Sequence, residues 1–115
     1  MVGRASLPGM DVPEIDVAEL AEKRAAGAPL IDVREPDEYE EAHVPGAHLV
    51  PLGTVPDRLA EVPTEGTVYV ICAKGGRSMR AAQFYREQGI DAVNVAGGTT
   101  AWVDAGHPVD TGSES

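Results

Sequence analysis

Cys72 is the one cysteine of the chain, and it opens the run Cys72-Ala73-Lys74-Gly75-Gly76-Arg77-Ser78. A thiol acts as a nucleophile through its thiolate, and a helix N-terminus or neighbouring cations lower its pKa from about 8.5 into a range of roughly 3.5 to 7.5. This run offers both influences. Lys74, Arg77 and Arg80 bring positive charge, while Gly75 and Gly76 are read as supplying positive φ and close backbone approach. The pattern predicts a helix from Ser78 to Gln88, ended at Gly89. The first N–H groups of a helix have no partner within it and favour an anion. Here the anion is the thiolate itself or a group covalently attached to it. The bland alternative is a small buried hydrophobe.

The elements that must position this loop follow from apolar patterning. Thr67-Val68-Tyr69-Val70-Ile71 is β-branched, aromatic and almost wholly apolar, as in a strand buried on both faces of a parallel sheet. Leu30-Ile31-Asp32-Val33, the region His48 to Val50, and Ala92-Val93-Asn94-Val95 read as further strands. Asp16 is placed to cap a helix from Val17 to about Ala26, with Glu19 completing a capping-box pattern and Gly27 closing the helix. Pro36 suits the first position of a short acidic helix through Glu41, whose Asp37, Glu38, Glu40 and Glu41 read as a solvated face. Pro51 to Ala60 reads as a bend with a short helix, and Thr99 to Ala105 as a last helix carrying Trp102. Strands alternating with helices indicate an α/β fold with a parallel sheet and helices on both faces, with its site outside the carboxyl ends of the strands. Cys72, Asp32 with Arg34, and Gly97 with Gly98 all follow strand ends. Three segments are thus expected to converge on one pocket.

Composition bounds the class. With 115 residues and 43% hydrophobic content, the chain makes one ordinary domain. Residues 1–13 read as a flexible leader, 14–109 as the domain and 110–115 as a flexible tail. A net charge of -10 argues against nucleic acid or anionic membrane as a partner, because both require a basic footprint. A lone thiol without a secretory signal fits a reducing, cytoplasmic setting. The basic residues beside Cys72 still set the local potential, since screening limits the wider field to about 8 Å.

Four blocks in order resemble the single-domain rhodaneses, the thiosulfate-type sulfurtransferases. They are Asp32-Val33-Arg34-Glu35, His43-Val44-Pro45-Gly46-Ala47, Cys72 through Ser78, and Gly97-Gly98-Thr99-Thr100-Ala101-Trp102. The resemblance implies a five-stranded, mostly parallel sheet flanked by helices. It implies that Cys72 is the catalytic nucleophile, carrying sulfane sulfur as a persulfide. Ala73, Lys74, Gly75, Gly76, Arg77 and Ser78 would then form the substrate-binding loop, with no cofactor and no metal. A small sulfur-containing anion would be the donor; a thiol, cyanide or a protein would be the acceptor.

Asp32 and Arg34 admit a catalytic reading, but bracing beneath the pocket suits them better. His43 reads as fixing a turn, and Arg77 as attracting a donor or pairing with a carboxylate to hold the loop. The alternative function on the same fold is a persulfide carrier or an oxidant sensor acting on a protein partner. A phosphatase or arsenate reductase fits less well. Cysteine phosphatases place one residue more between cysteine and arginine, making a wider cradle than Ala73, Lys74, Gly75 and Gly76 allow.

Overall fold

The computed structural model describes residues 12–113. Its strands are β1 (Glu14–Ile15), β2 (Leu30–Asp32), β3 (His48–Leu49), β4 (Thr67–Ile71) and β5 (Asp91–Val95). They form one sheet in the order β1-β5-β4-β2-β3, and every pairing is parallel. The helices are α1 (Val17–Ala25), α2 (Pro36–Glu41), α3 (Gly76–Glu87) and α4 (Gly98–Asp104), with two 3-10 segments at Leu52–Thr54 and Pro56–Glu61.

β4 lies at the centre because successive side chains enter two different cores. Val68, Val70 and Cys72 join Ile31, Val33, Val50 and Tyr85 on the face covered by α3. Tyr69 and Ile71 join Leu20, Tyr39 and Trp102 on the face covered by α1, α2 and α4. Burying a large aliphatic side chain contributes about 1.5–3 kcal/mol, and Val68, Val70 and Ile71 are all fully buried. The same alternation carries Cys72 toward α3. Val70 pairs in register with Asn94, so the Asn94 amide shares that face.

Boundaries differ from expectation where glycine or brevity decides them. α3 begins at Gly76 rather than Ser78, because Gly75, at φ +111°, makes the left-handed turn that caps it. β1 has two residues, too few for a periodicity to show. The reach read as a helix after Pro51 is two 3-10 segments, the second of them kinked at Arg58, whose backbone is non-helical. Asp16 caps α1 as its position suggests, accepting from the Glu19 amide at 2.9 Å.

Residues 1–11, most of the expected leader, lie outside the described residues. Val12 packs against the α3-side core, and the Pro13 carbonyl accepts from the Asn94 amide. Within the expected tail, Asp110 bridges His43 and the Gly112 amide donates to the Glu40 carbonyl at 2.7 Å. His43 is fully buried, stacked on Tyr39 at 3.7 Å, with Nδ1 2.7 Å from the Tyr39 carbonyl. It therefore fixes the turn into β3. Among the described residues no helix is long and apolar enough to cross a membrane.

Candidate active site

The loop from Cys72 to Ser78 folds around the cysteine sulfur. The left-handed conformation of Gly75 turns its N–H back, and this amide donates to Sγ at 3.1 Å. The Ser78 hydroxyl, at the first turn of α3, lies 3.3 Å from the same sulfur. Burial pushes the Cys72 thiol up, but the Ser78 hydroxyl and the amides of Ser78, Gly75 and Lys74 outweigh it and bring the pKa below its ordinary value. The physical cause is hydrogen bonding to the charged form.

Cys72 itself is only 1% exposed. A sulfur so covered does not suit the exposed thiol of an oxidant sensor.

Ser78 is tuned from behind. Its hydroxyl is 2.5 Å from Asn94 Oδ1, while Asn94 Nδ2 donates to Glu14 Oε2 at 2.8 Å and to the Gly75 carbonyl at 3.2 Å. Those two acceptors fix the orientation of the amide, so its oxygen must face Ser78. The single hydroxyl proton of Ser78 is therefore shared between Asn94 and the cysteine sulfur. Asn94 was hidden inside the strand pattern of the sequence; its one visible signal is an amide within an otherwise apolar run.

The other loop residues take distinct places. The Ala73 carbonyl accepts from the Thr100 amide at 3.0 Å, and the Cys72 carbonyl accepts from the Thr99 amide at 2.8 Å. The N-terminus of α4 thus holds the loop by its backbone. Lys74 is exposed, as is Arg80, and neither has a salt-bridge partner among the described residues. Gly76 lies within α3 with φ outside the left-handed region and open space around it, so the need for positive φ falls on Gly75 alone.

Arg77 does not close onto the sulfur. Its two Nη atoms grip Glu38 of α2 in a bidentate pair, at 2.8 and 2.9 Å. Glu38, expected on a solvated face, is in fact the strut between α2 and the loop. The hydrogen bonds from Arg77 hold its carboxyl at about 2, against an ordinary 4.5. Because the folded-state pKa is depressed, the pairing stabilises fully above about pH 4.5 and is lost as the pH falls through about 2. Wild type should therefore lose its advantage over Glu38→Gln across that window. Urea midpoints of both proteins at about pH 6 and about pH 3 check this, and an unchanged difference between them would contradict it.

Asp32 and Arg34 lie beneath this strut as a buried pair. Asp32 Oδ1 accepts from the Arg34 amide and Nε, both at 3.0 Å, and Oδ2 accepts from Nη2 at 2.9 Å. Arg34 Nη2 also donates to the Ala42 carbonyl at 2.8 Å, tying down the end of α2. Of the three strand-end segments, the one after β5 meets the Cys72 loop through the Thr99 and Thr100 amides, whereas Asp32 and Arg34 after β2 bond each other and the Ala42 carbonyl.

Together these features define a class: a parallel α/β domain whose central strand ends in a cysteine wrapped by an amide-lined loop. The family model for the rhodanese-like domain matches residues 16–105, and the chain belongs to that family. It is 34% identical over 101 residues to a sulfurtransferase of Allochromatium vinosum, covering 85% of this chain and 94% of that protein. A rhodanese-like domain protein from Staphylococcus aureus superposes with a TM-score of 0.79 at 34% identity, covering 87% of this chain and 98% of that one. The thiosulfate sulfurtransferase of Pseudomonas aeruginosa gives 0.80 at 28% identity, matching 90% of this chain but 21% of its own. The chain thus stands among sulfurtransferases.

Proposed function

We propose that this protein moves sulfane sulfur from thiosulfate or a similar donor to a thiophilic acceptor through a persulfide on Cys72. The observation that carries the reading is the pair of donors on Sγ, the Gly75 amide and the Ser78 hydroxyl. The Cys72 thiolate attacks the outer sulfur of the donor. With thiosulfate, the S–S bond breaks and sulfite leaves with the bonding electrons. The acceptor, cyanide or a thiolate, then takes the outer sulfur and returns Cys72 to a thiolate. Loop amides stabilise the negative charge of the persulfide without any proton transfer. With Arg77 engaged by Glu38, exposed Lys74 is the loop cation left to receive the donor's anionic end.

A persulfide carrier serving a protein partner shares every step up to loading. Release distinguishes the two, because a carrier loads without turning over small acceptors. Incubation with thiosulfate should add the mass of one sulfur to Cys72. Cys72→Ala should show no adduct, with thiosulfate-to-cyanide turnover down by about 10³-fold or more. A wild-type protein with neither adduct nor turnover would overturn the proposal.

A further inference from the structure

At the pole of the sheet opposite Cys72 there is a cleft of about 380 Å³. Cys72 follows the carboxyl end of β4, whereas this cleft lies between the last turns of α1, the turn that leads into β3, and the far part of α4. Its walls include Ala21, Arg24, Val44, Pro45, Trp102 and His107, none of which belongs to the cysteine loop. The volume falls in the range of small-molecule sites, roughly 300–1,000 Å³, which are mostly apolar with a few placed polar groups. Here the polar groups are Arg24 and His107.

The charge state of Arg24 sets the chemistry. In a chain of net charge -10, its guanidinium has no carboxylate partner among the described residues. Nη1 donates to the Ala28 carbonyl at 2.5 Å and Nη2 to the Pro45 carbonyl at 2.6 Å. Nε is buried with no hydrogen-bond partner. A guanidinium has five N–H donors, so the carbonyls use only part of its capacity and bring no formal negative charge to it. His107 packs against Trp102 at 4.5 Å between ring centroids, and no hydrogen bond from its ring is seen among the described residues. An unneutralised cation beside an apolar wall asks for a ligand with an anionic head and an apolar body.

We propose that this cleft binds a small apolar monocarboxylate, its carboxylate on Arg24 and His107 and its body against Trp102, Val44 and Pro45. The site is independent of sulfur chemistry at Cys72. A structural clamp alone would explain the two carbonyl bonds of Arg24, but not the open apolar space left beside the charge.

Trp102 is the one tryptophan of the chain, so its fluorescence reports the cleft directly. The probe is 3-phenylpropionate, with the uncharged 3-phenylpropionamide as control. A saturable change is expected with the acid, and the amide should bind at least about tenfold more weakly, a difference of about 1.4 kcal/mol. Arg24→Gln should weaken the acid by a similar factor. Ala25→Phe, which fills the cleft from the exposed side of α1 and leaves Arg24 in place, should abolish the response while circular dichroism stays native. That variant and the amide carry the test if Arg24→Gln does not fold. Equal binding of acid and amide, a response that persists in Ala25→Phe, or no saturable change in wild type would each overturn the proposal.

Discussion

Gly98→Ala is expected to destabilise the protein by about 2–6 kcal/mol and, on the proposed function, to remove most of the persulfide loading at Cys72. Gly98 has φ +59°, a conformation that costs other residues about 1–3 kcal/mol. A Cβ there would also overlap the Cys72 carbonyl oxygen and lie 2.6 Å from the carbonyl carbon and oxygen of Ala73. These are backbone atoms, so no rotamer change relieves the clash, and overpacking adds about 1–3 kcal/mol. The displaced atoms belong to the two residues whose carbonyls receive the Thr99 and Thr100 amides. Relief must therefore come from moving α4 off the loop or moving the loop itself. Urea denaturation and persulfide loading, read on one preparation, check both halves. A variant with native stability would show that α4 and the loop are not in the contact described.

Asp32→Ala is expected to cost about 3–5 kcal/mol, because it leaves the Arg34 guanidinium buried without its counter-ion. Asp32 is fully buried and Arg34 is 5% exposed, so water cannot take over the lost role. The double variant Asp32→Leu with Arg34→Met should lose much less than the single one, since removing both charges also removes their desolvation. Domains of this kind have about 5–15 kcal/mol in total. The single change therefore consumes a large share of it. Equal losses in the single and double variants, measured by urea denaturation, would mean that the pair does more than neutralise itself.

Much of the sheet was legible because burial leaves a plain trace in sequence. The run from Thr67 to Ile71 is apolar along its whole length, since both faces of β4 meet a core, and its bounds agree with expectation. Pro36 marked the start of α2 for the same kind of reason: a residue that lacks an N–H fits where none is required. Glu14–Ile15 had no such trace. As an edge strand of two residues it pairs in register with Asn94 and Val95, and Glu14 adds one side-chain bond from Asn94 Nδ2.

The site was half legible. Cys72, Gly75 and Ser78 stand in one contiguous run, so local geometry was enough to place them around one sulfur. Glu38 and Asn94 reach the loop from 39 and 16 residues away respectively. Locally Glu38 differs from the three other acidic residues of α2 only as the capping-box residue that accepts from the Glu35 amide; its role at the loop comes from the tertiary approach of Arg77. The near-complete burial of Cys72 was also hidden, because it arises from tertiary packing: the residue joins the α3-side core while the loop amides and Ser78 enclose its sulfur.

The central physical claim is that hydrogen bonds from the loop favour the thiolate of Cys72 despite its burial. Titrating the ultraviolet absorbance of the thiolate tests it with one cysteine, the signal of the three tyrosines being subtracted with Cys72→Ala. The signal should rise with pH through a midpoint below that of a free thiol, about 8.5, and the midpoint should move upward in Ser78→Ala. A wild-type midpoint at or above the free-thiol value would mean that burial prevails over the amides, and the account of this site would fail.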